Sequence, residues 1–263
     1  MDGVRRTVRG DGVDIGLLTA GSGPPLLLVH GGVGQIERWE PVWDLFARRY
    51  TVTAMDRRGR GSSGDAADYS IDAEFGDVAA VCSELAAEAG RPASVFAHSY
   101  GATCAIGAAG RDGPIGRLIL YEPPSAATVT PAFVDRMAAY VSEGRAGRAM
   151  VAFLQEIIGL DDAEVDALRQ APPAYDILAV LAATLPREGR ALLGIDLVGV
   201  ARSVTCPTHF LLGDRSPVWA AEVTDALARV IPGSTIEVLP AVGHEAIDAA
   251  PAELVDRVAR VVG

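Results

Sequence analysis

The sequence predicts an α/β protein built on a mostly parallel, eight-stranded sheet flanked by helices, with a block of helices inserted late in the chain. Three features of its 263 residues predict it. Apolar runs of strand length alternate with helical stretches from residue 51 to residue 122, the rhythm of a parallel sheet covered on both faces. The strand signal then vanishes between residues 123 and 203 and returns at 208. Finally, Ala97-His98-Ser99-Tyr100-Gly101 sets a serine on the turn between an apolar run and a small-residue helix.

Taken in order, residues 4–8, 14–20 and 25–29 read as short strands. Two-residue alternation and the turn-forming Gly21-Ser22-Gly23-Pro24 predict an antiparallel opening. Strands at 51–55, 94–97 and 117–121 follow, separated by helices at 41–49, 71–90 and 102–110. In the inserted block, Thr130-Pro131 supplies an N-cap and a first-turn proline, with Phe133, Val134, Met137 and Val141 recurring at helical spacing. Asp161 with Glu164 resembles a capping box, and apolar residues repeat through 174–185 after Pro172-Pro173. Strands at 208–212 and 235–239 enclose a helix at 218–230, and a last helix runs from Glu245 onward. The expected organisation is a core of residues 1–122 and 204–263 with a helical cap, residues 123–203, inserted in it.

A formal net charge of -11 repels phosphate backbones and anionic lipid, so neither nucleic acid nor a membrane is an expected partner. Cys82, Cys104 and Cys206 are odd in number and show no Cys-x-x-Cys spacing, which argues against a disulfide framework or a zinc site and suits a reducing compartment. The first residues lack an apolar leader, and no apolar stretch approaches the roughly 20 residues of a membrane span. A soluble, cytoplasmic protein is expected, with a small-molecule substrate as its partner, self-association into a homodimer left open, and no cofactor or metal. Gly59-x-Gly61-x-x-Gly64 matches a dinucleotide fingerprint in letters, but polar loop residues follow it where a helix would have to begin.

Four short runs occur in order along the chain: His30-Gly31-Gly32, Asp56-Arg57-Arg58-Gly59-Arg60-Gly61-Ser62-Ser63, Ala97-His98-Ser99-Tyr100-Gly101 and Gly243-His244-Glu245. Each stands at the tip of an expected strand. Together they resemble the α/β-hydrolase superfamily, in its branch of small, cap-bearing, esterase-like serine hydrolases, from about residue 26 to the C-terminus. Ala97 departs from the family's usual glycine, though it keeps a small side chain there.

Acyl transfer by a serine needs a base for its proton, donors for the oxyanion and a carboxylate to orient the base. Ser99 is the candidate nucleophile; its competing role is an ordinary helix N-cap. Among the histidines, His30 and His98 sit beside glycine turns and His209 lies within an apolar strand, whereas His244 follows the last strand in a loop and is the candidate base. The resemblance implies backbone amides of Gly32 and Tyr100 as the oxyanion hole. For the acid, the family pattern Gly-Asp-x-Asp-Pro is met by Gly213-Asp214-Arg215-Ser216-Pro217, with a serine at the expected position. Glu122 is the preferred acid, because it directly ends an apolar strand, Pro123-Pro124 fixes its exit, and some relatives carry the acid there; Asp214 is the alternative.

The implied activity is hydrolysis of an ester, thioester or lactone of a small apolar substrate through an acyl-enzyme. Phe133, Met137, Tyr140, Phe153, Leu154 and Leu181, if turned inward, would line an apolar pocket. The same scaffold also serves carbon–carbon cleavage, acyl transfer, cyclisation and non-catalytic ligand binding, which fold alone does not separate.

Overall fold

In the computed structural model, which describes residues 1–111 and 113–263, the strands are β1 (Val4–Arg9), β2 (Asp14–Ala20), β3 (Pro25–Val29), β4 (Thr51–Met55), β5 (Ala93–His98), β6 (Ile115–Tyr121), β7 (Thr208–Gly213) and β8 (Thr235–Leu239). Among the described residues these eight form one sheet in the order β1-β2-β4-β3-β5-β6-β7-β8. β2 pairs antiparallel with β1 and β4, and all other pairings are parallel. The pattern follows from burial. β3, Pro-Leu-Leu-Leu-Val, is buried at every position, as a central strand covered on both faces must be, whereas edge strand β1 alternates exposed and half-buried residues.

The core helices are α1 (Glu40–Ala47), α2 (Ile71–Ala89) and α3 (Tyr100–Ala109). α2 starts where the Ser70 hydroxyl accepts the Ala73 amide at 3.1 Å and stops at Gly90, whose φ of 64° is the left-handed exit glycine favours. α2 and α3 share one apolar layer with one sheet face, and Trp39, Trp43, Phe46 and Phe96 fill the other. β4 lies on one side of β3 and β5 on the other, so the strand order reverses at β3. At such a switch point, loops leaving the carboxyl ends of the strands splay apart and open a crevice.

Between β6 and β7 lie α4 (Pro131–Ser142), α5 (Ala146–Phe153), a π turn (Leu154–Ile158), α6 (Asp162–Arg169), α7 (Pro172–Leu181), α8 (Leu185–Gly194) and α9 (Leu197–Ala201). Thr130 caps α4 through the Phe133 amide at 3.2 Å, and Asp161 and Glu164 exchange the two bonds of a capping box at α6. α4 packs on α8, while α9 rests on α3. The chain ends in α10 (Val218–Ala228), β8, α11 (Ala246–Ala249) and α12 (Pro251–Val262). The single last helix expected from Glu245 is thus broken, because Pro251 disfavours helical geometry at Ala250, which takes φ -146° and ψ 55°. None of the described helices is long and apolar enough to cross a membrane.

Candidate active site

Ser99 stands between β5 and α3 with φ 54° and ψ -127°, a left-handed conformation that strains a residue with a side chain. Its neighbours hold it there. The Ser99 amide donates to the Tyr121 carbonyl at 2.8 Å, and its own carbonyl accepts the Ala102 amide at 2.8 Å. Two glycines make room: a Cβ on Gly31 would come within 2.8 Å of the Ser99 Cβ, and one on Gly101 within 2.4 Å of the Val29 and His30 carbonyls. Although Ser99 occupies the N-cap position, its hydroxyl caps no helix amide. The cap role weighed from the sequence is therefore not the one it plays.

His244 lies in the turn after β8, 2% exposed. Its Nδ1 is 2.6 Å from Oε2 of Glu122, which is fully buried, so the ring nitrogen donates and the carboxylate accepts. The other carboxylate oxygen, Oε1, accepts the Gly213 amide at 2.7 Å and the Ser216 hydroxyl at 2.5 Å. Glu122 itself takes φ 51°, a strained exit that turns its side chain under the β7 loop. Asp214 is exposed and does not reach the ring; its amide bonds the Leu239 carbonyl at 3.0 Å. Ser216, at the position where the family pattern carries aspartate, instead anchors the glutamate. With Nδ1 engaged, a neutral His244 presents Nε2 as an acceptor, and that nitrogen has no partner.

His98 lies against His244 with ring centroids 4.6 Å apart. Its Nε2 donates to the His244 carbonyl at 3.0 Å, which pins the loop carrying the base. Burial, together with the facing His244 and Arg38, holds His98 well below the ordinary histidine range. Trp219 meets the other side of His244 edge-on, 5.4 Å between centroids, and donates its indole N–H to the Ile157 carbonyl at 2.8 Å. Arg38 pairs with Glu245 and Asp248 at the rim. His98, His244 and Glu245 lie close enough to offer donor atoms to a cation: one ring nitrogen of each histidine, His98 Nδ1 and His244 Nε2, is unpartnered, while Glu245 is paired with Arg38.

Two cavities flank Ser99. One, of about 440 Å³, is lined by Gly31, Gly32, Ser99 and His244 below and Phe153 and Leu154 above. The other is a slot of about 40 Å³ bounded by Gly32, Tyr100, Phe153, Leu185, Glu188 and Trp219. The π turn after α5 supplies Ile158 to the first and Ile157 to the second, a distortion often met at working sites. A roomier groove of about 780 Å³ between the start of α2 and α8–α9 is open and holds neither Ser99 nor His244. Tyr100 opens α3, so its amide is among the helix N–H groups without an intrahelical acceptor, next to the Ser99 hydroxyl. Gly32 borders both cavities, followed by Val33 at a strained φ of 51°.

The fold thus gathers Ser99, His244, Glu122, Gly32 and Tyr100 at the carboxyl ends of β3, β5, β6 and β8, and leaves Asp214 outside. Of the six apolar side chains expected to turn inward, Phe133, Phe153 and Leu154 border these cavities. Met137 is buried within the apolar packing, Tyr140 stacks under the Arg145 guanidinium at 5.1 Å, and Leu181 borders a separate groove beside Gly59 and Gly61. Sequence reasoning missed Trp219, Glu188 and Arg38. Trp219 lies two positions past Pro217, in the first turn of α10, a usable signal; the other two had none.

A single sheet with a strained serine elbow, and a histidine–glutamate pair beside it, is the build of an α/β-hydrolase. The profile of the Alpha/beta hydrolase family matches residues 26–257, and the chain belongs to that family. It is similar along its length to the 2-(acetamidomethylene)succinate hydrolase of Mesorhizobium japonicum, 27% identical over 253 residues, covering 91% of this chain and 90% of the relative. The pimeloyl-[acyl-carrier protein] methyl ester esterase of Methylococcus capsulatus is 28% identical over 241 residues, 82% of this chain and 85% of its own. Among solved structures, an alpha/beta hydrolase from Sphaerobacter thermophilus superposes with a TM-score of 0.80 at 34% identity, covering 95% of this chain and 99% of that one.

Proposed function

We propose that the protein is a serine hydrolase that cleaves a small, neutral ester, thioester or lactone through an acyl-enzyme. Ser99 attacks the carbonyl as His244 Nε2 takes its proton; the Gly32 and Tyr100 amides receive the oxyanion; Glu122 orients His244 and stabilises it once charged. His244 then protonates the leaving group and activates the water that releases the acid. The observation that carries this reading is the buried Glu122–His244 bond at 2.6 Å, which leaves an unpartnered Nε2 on the cavity that the Ser99 elbow also borders.

The charge of the cavity wall disfavours an anionic substrate. Arg38 is its one cation among the described lining residues and is already paired, while Glu164, Glu245 and Asp248 are acidic. An anion would meet net repulsion there, in contrast to the relative named for a succinate. Residues 123–203 act in this scheme as a cap whose Phe153 and Leu154 exclude water from the acyl-enzyme. The test is turnover of short p-nitrophenyl esters together with labelling by a fluorophosphonate. Turnover and labelling that both disappear in Ser99→Ala are expected; a wild-type protein that shows neither overturns the reading.

A further inference from the structure

The peptide between Gly31 and Gly32 has no side chain on either residue to hold its orientation, yet its N–H is the proposed oxyanion donor. Its carbonyl is held instead. The His30 ring accepts the Arg57 amide on Nε2 at 3.1 Å, so the neutral ring carries its proton on Nδ1, which donates to the Gly31 carbonyl at 2.9 Å. Burial and the nearby Arg57 keep that ring well below the usual histidine range, which maintains the neutral form. The Arg57 guanidinium donates to the same carbonyl through Nη2 at 3.1 Å. Both lone pairs are then occupied from the core side. No peptide among the described residues is cis, so the Gly32 N–H points opposite to that carbonyl and away from its two donors, and Gly32 itself borders both cavities.

Arg57 is itself fixed by two carboxylates from different parts of the fold. Its Nη1 donates to Glu74 of α2 at 2.9 Å, its Nη2 to Glu188 of α8, and its plane lies 4.6 Å from the centre of the Tyr100 ring. Arg60 donates to the same Glu188 oxygen at 2.5 Å. All four charged side chains are nearly or fully buried, two guanidiniums against two carboxylates.

We propose that Arg57 is a positioning residue that aims the Gly32 amide at the oxyanion, and that the inserted helices hold it there through Glu188. The inference rests on the serine hydrolase reading. It makes the oxyanion hole dependent on α8 being seated: when α8 lifts, Arg57 keeps Glu74 but loses Glu188, and its share of the hold on the Gly31–Gly32 peptide loosens. Neutralising Glu188 would do the same chemically, leaving an extra buried positive charge beside Arg60.

The test compares Glu188→Gln and Arg57→Lys with Glu188→Asp, which keeps the charge, and with Asp77→Asn. The last breaks the buried Arg58–Asp77 pair, which does not touch Gly31. Each is assayed for kcat, KM, thermal stability and affinity for an alkyl boronic acid, and the Gly32 amide is followed by ¹H–¹⁵N spectroscopy. Glu188→Gln and Arg57→Lys are expected to lower kcat by about 10²-fold with KM little changed, to weaken the boronic acid in step, and to shift or broaden the Gly32 resonance. Glu188→Asp should recover part of the loss, and Asp77→Asn should lower stability alone. Folded Glu188→Gln and Arg57→Lys proteins with normal kcat and an unmoved Gly32 signal overturn the proposal, as does a loss that Asp77→Asn reproduces in full. A wild-type protein without Ser99-dependent turnover would instead overturn the hydrolase reading, and the Gly32 resonance would still report on the clamp.

Discussion

Glu122 accepts a hydrogen bond from His244 at 2.6 Å across 122 positions of sequence, and the same carboxylate takes the Gly213 amide and the Ser216 hydroxyl on its other oxygen. Each oxygen therefore has a distinct task, one anchoring and one orienting.

That division makes Glu122→Gln informative. The donors at Gly213 and Ser216 require an acceptor, so the amide oxygen stays with them and the NH₂ group turns to His244. Nδ1 must then accept, which moves the ring proton to Nε2, the nitrogen required as the base. Turnover of a p-nitrophenyl ester is expected to fall on the order of 10⁴-fold with the fold intact. Asp214→Asn, at an exposed side chain, should stay within about two-fold. Similar losses in both variants would remove Glu122 from the mechanism.

How much was legible beforehand follows from the same residues. Ser99, Glu122 and His244 each directly follow or closely trail an apolar strand, and a parallel sheet delivers such positions to one rim. The acid stayed open between two candidates because the choice depends on the β6–β7 register and the strained φ of Glu122, neither of which is written locally. The break between α11 and α12 was marked by Pro251 and could have been read. The charged cluster of Arg57, Arg60, Glu74 and Glu188 could not: its members lie on a loop and two helices, and in sequence each looks like an ordinary surface charge. Burial is a property of how those elements meet, which no local pattern encodes.

Two buried, neutral imidazoles make stability fall as the solution turns acidic. His30 and His98 are both held well below the ordinary histidine range by burial, with Arg57 beside the first and His244 and Arg38 beside the second. As pH falls below ~6.5 the unfolded chain takes up protons that these folded rings refuse. The unfolded state then binds more protons, so stability drops by up to about 1.4 kcal/mol per pH unit for each ring until its folded value is reached. His98→Gln keeps an N–H donor for the His244 carbonyl but cannot titrate. Urea unfolding between about pH 5 and about pH 7 should show roughly half the wild-type slope contributed by this pair. An unchanged slope would mean that His98 is protonated in the folded protein.

The slot of about 40 Å³ beside Ser99 admits only a small group, so one side of the scissile bond should be short. Leu185 forms part of its wall and approaches Gly32, 4.0 Å from where a Cβ on that glycine would lie. Leu185→Ala enlarges the slot without altering the charges around Ser99. A series of p-nitrophenyl esters of increasing acyl length should then shift its kcat/KM optimum toward longer chains, with each methylene newly accommodated gaining about 10-fold or more. If the preference for chain length is unaltered, the acyl group binds in the larger cavity instead.

Gly31→Ala tests the elbow from the opposite side. The new Cβ would lie 2.8 Å from the Ser99 Cβ, 3.2 Å from the His98 carbonyl and 3.4 Å from the Ser99 hydroxyl. Two of these neighbours belong to a strand end and a strained turn that cannot retreat cheaply, so the relief falls on the serine side chain or on the Gly31–Gly32 loop. Either movement separates the hydroxyl from His244 Nε2 or turns the Gly32 amide away from the oxyanion. A misplacement near 1 Å costs about 10²-fold in rate. The expected result is a folded protein whose kcat falls by about that factor and whose fluorophosphonate labelling slows with it, while KM moves little. A variant with wild-type kcat would show that the nucleophile does not need the contact geometry seen between Gly31 and Ser99.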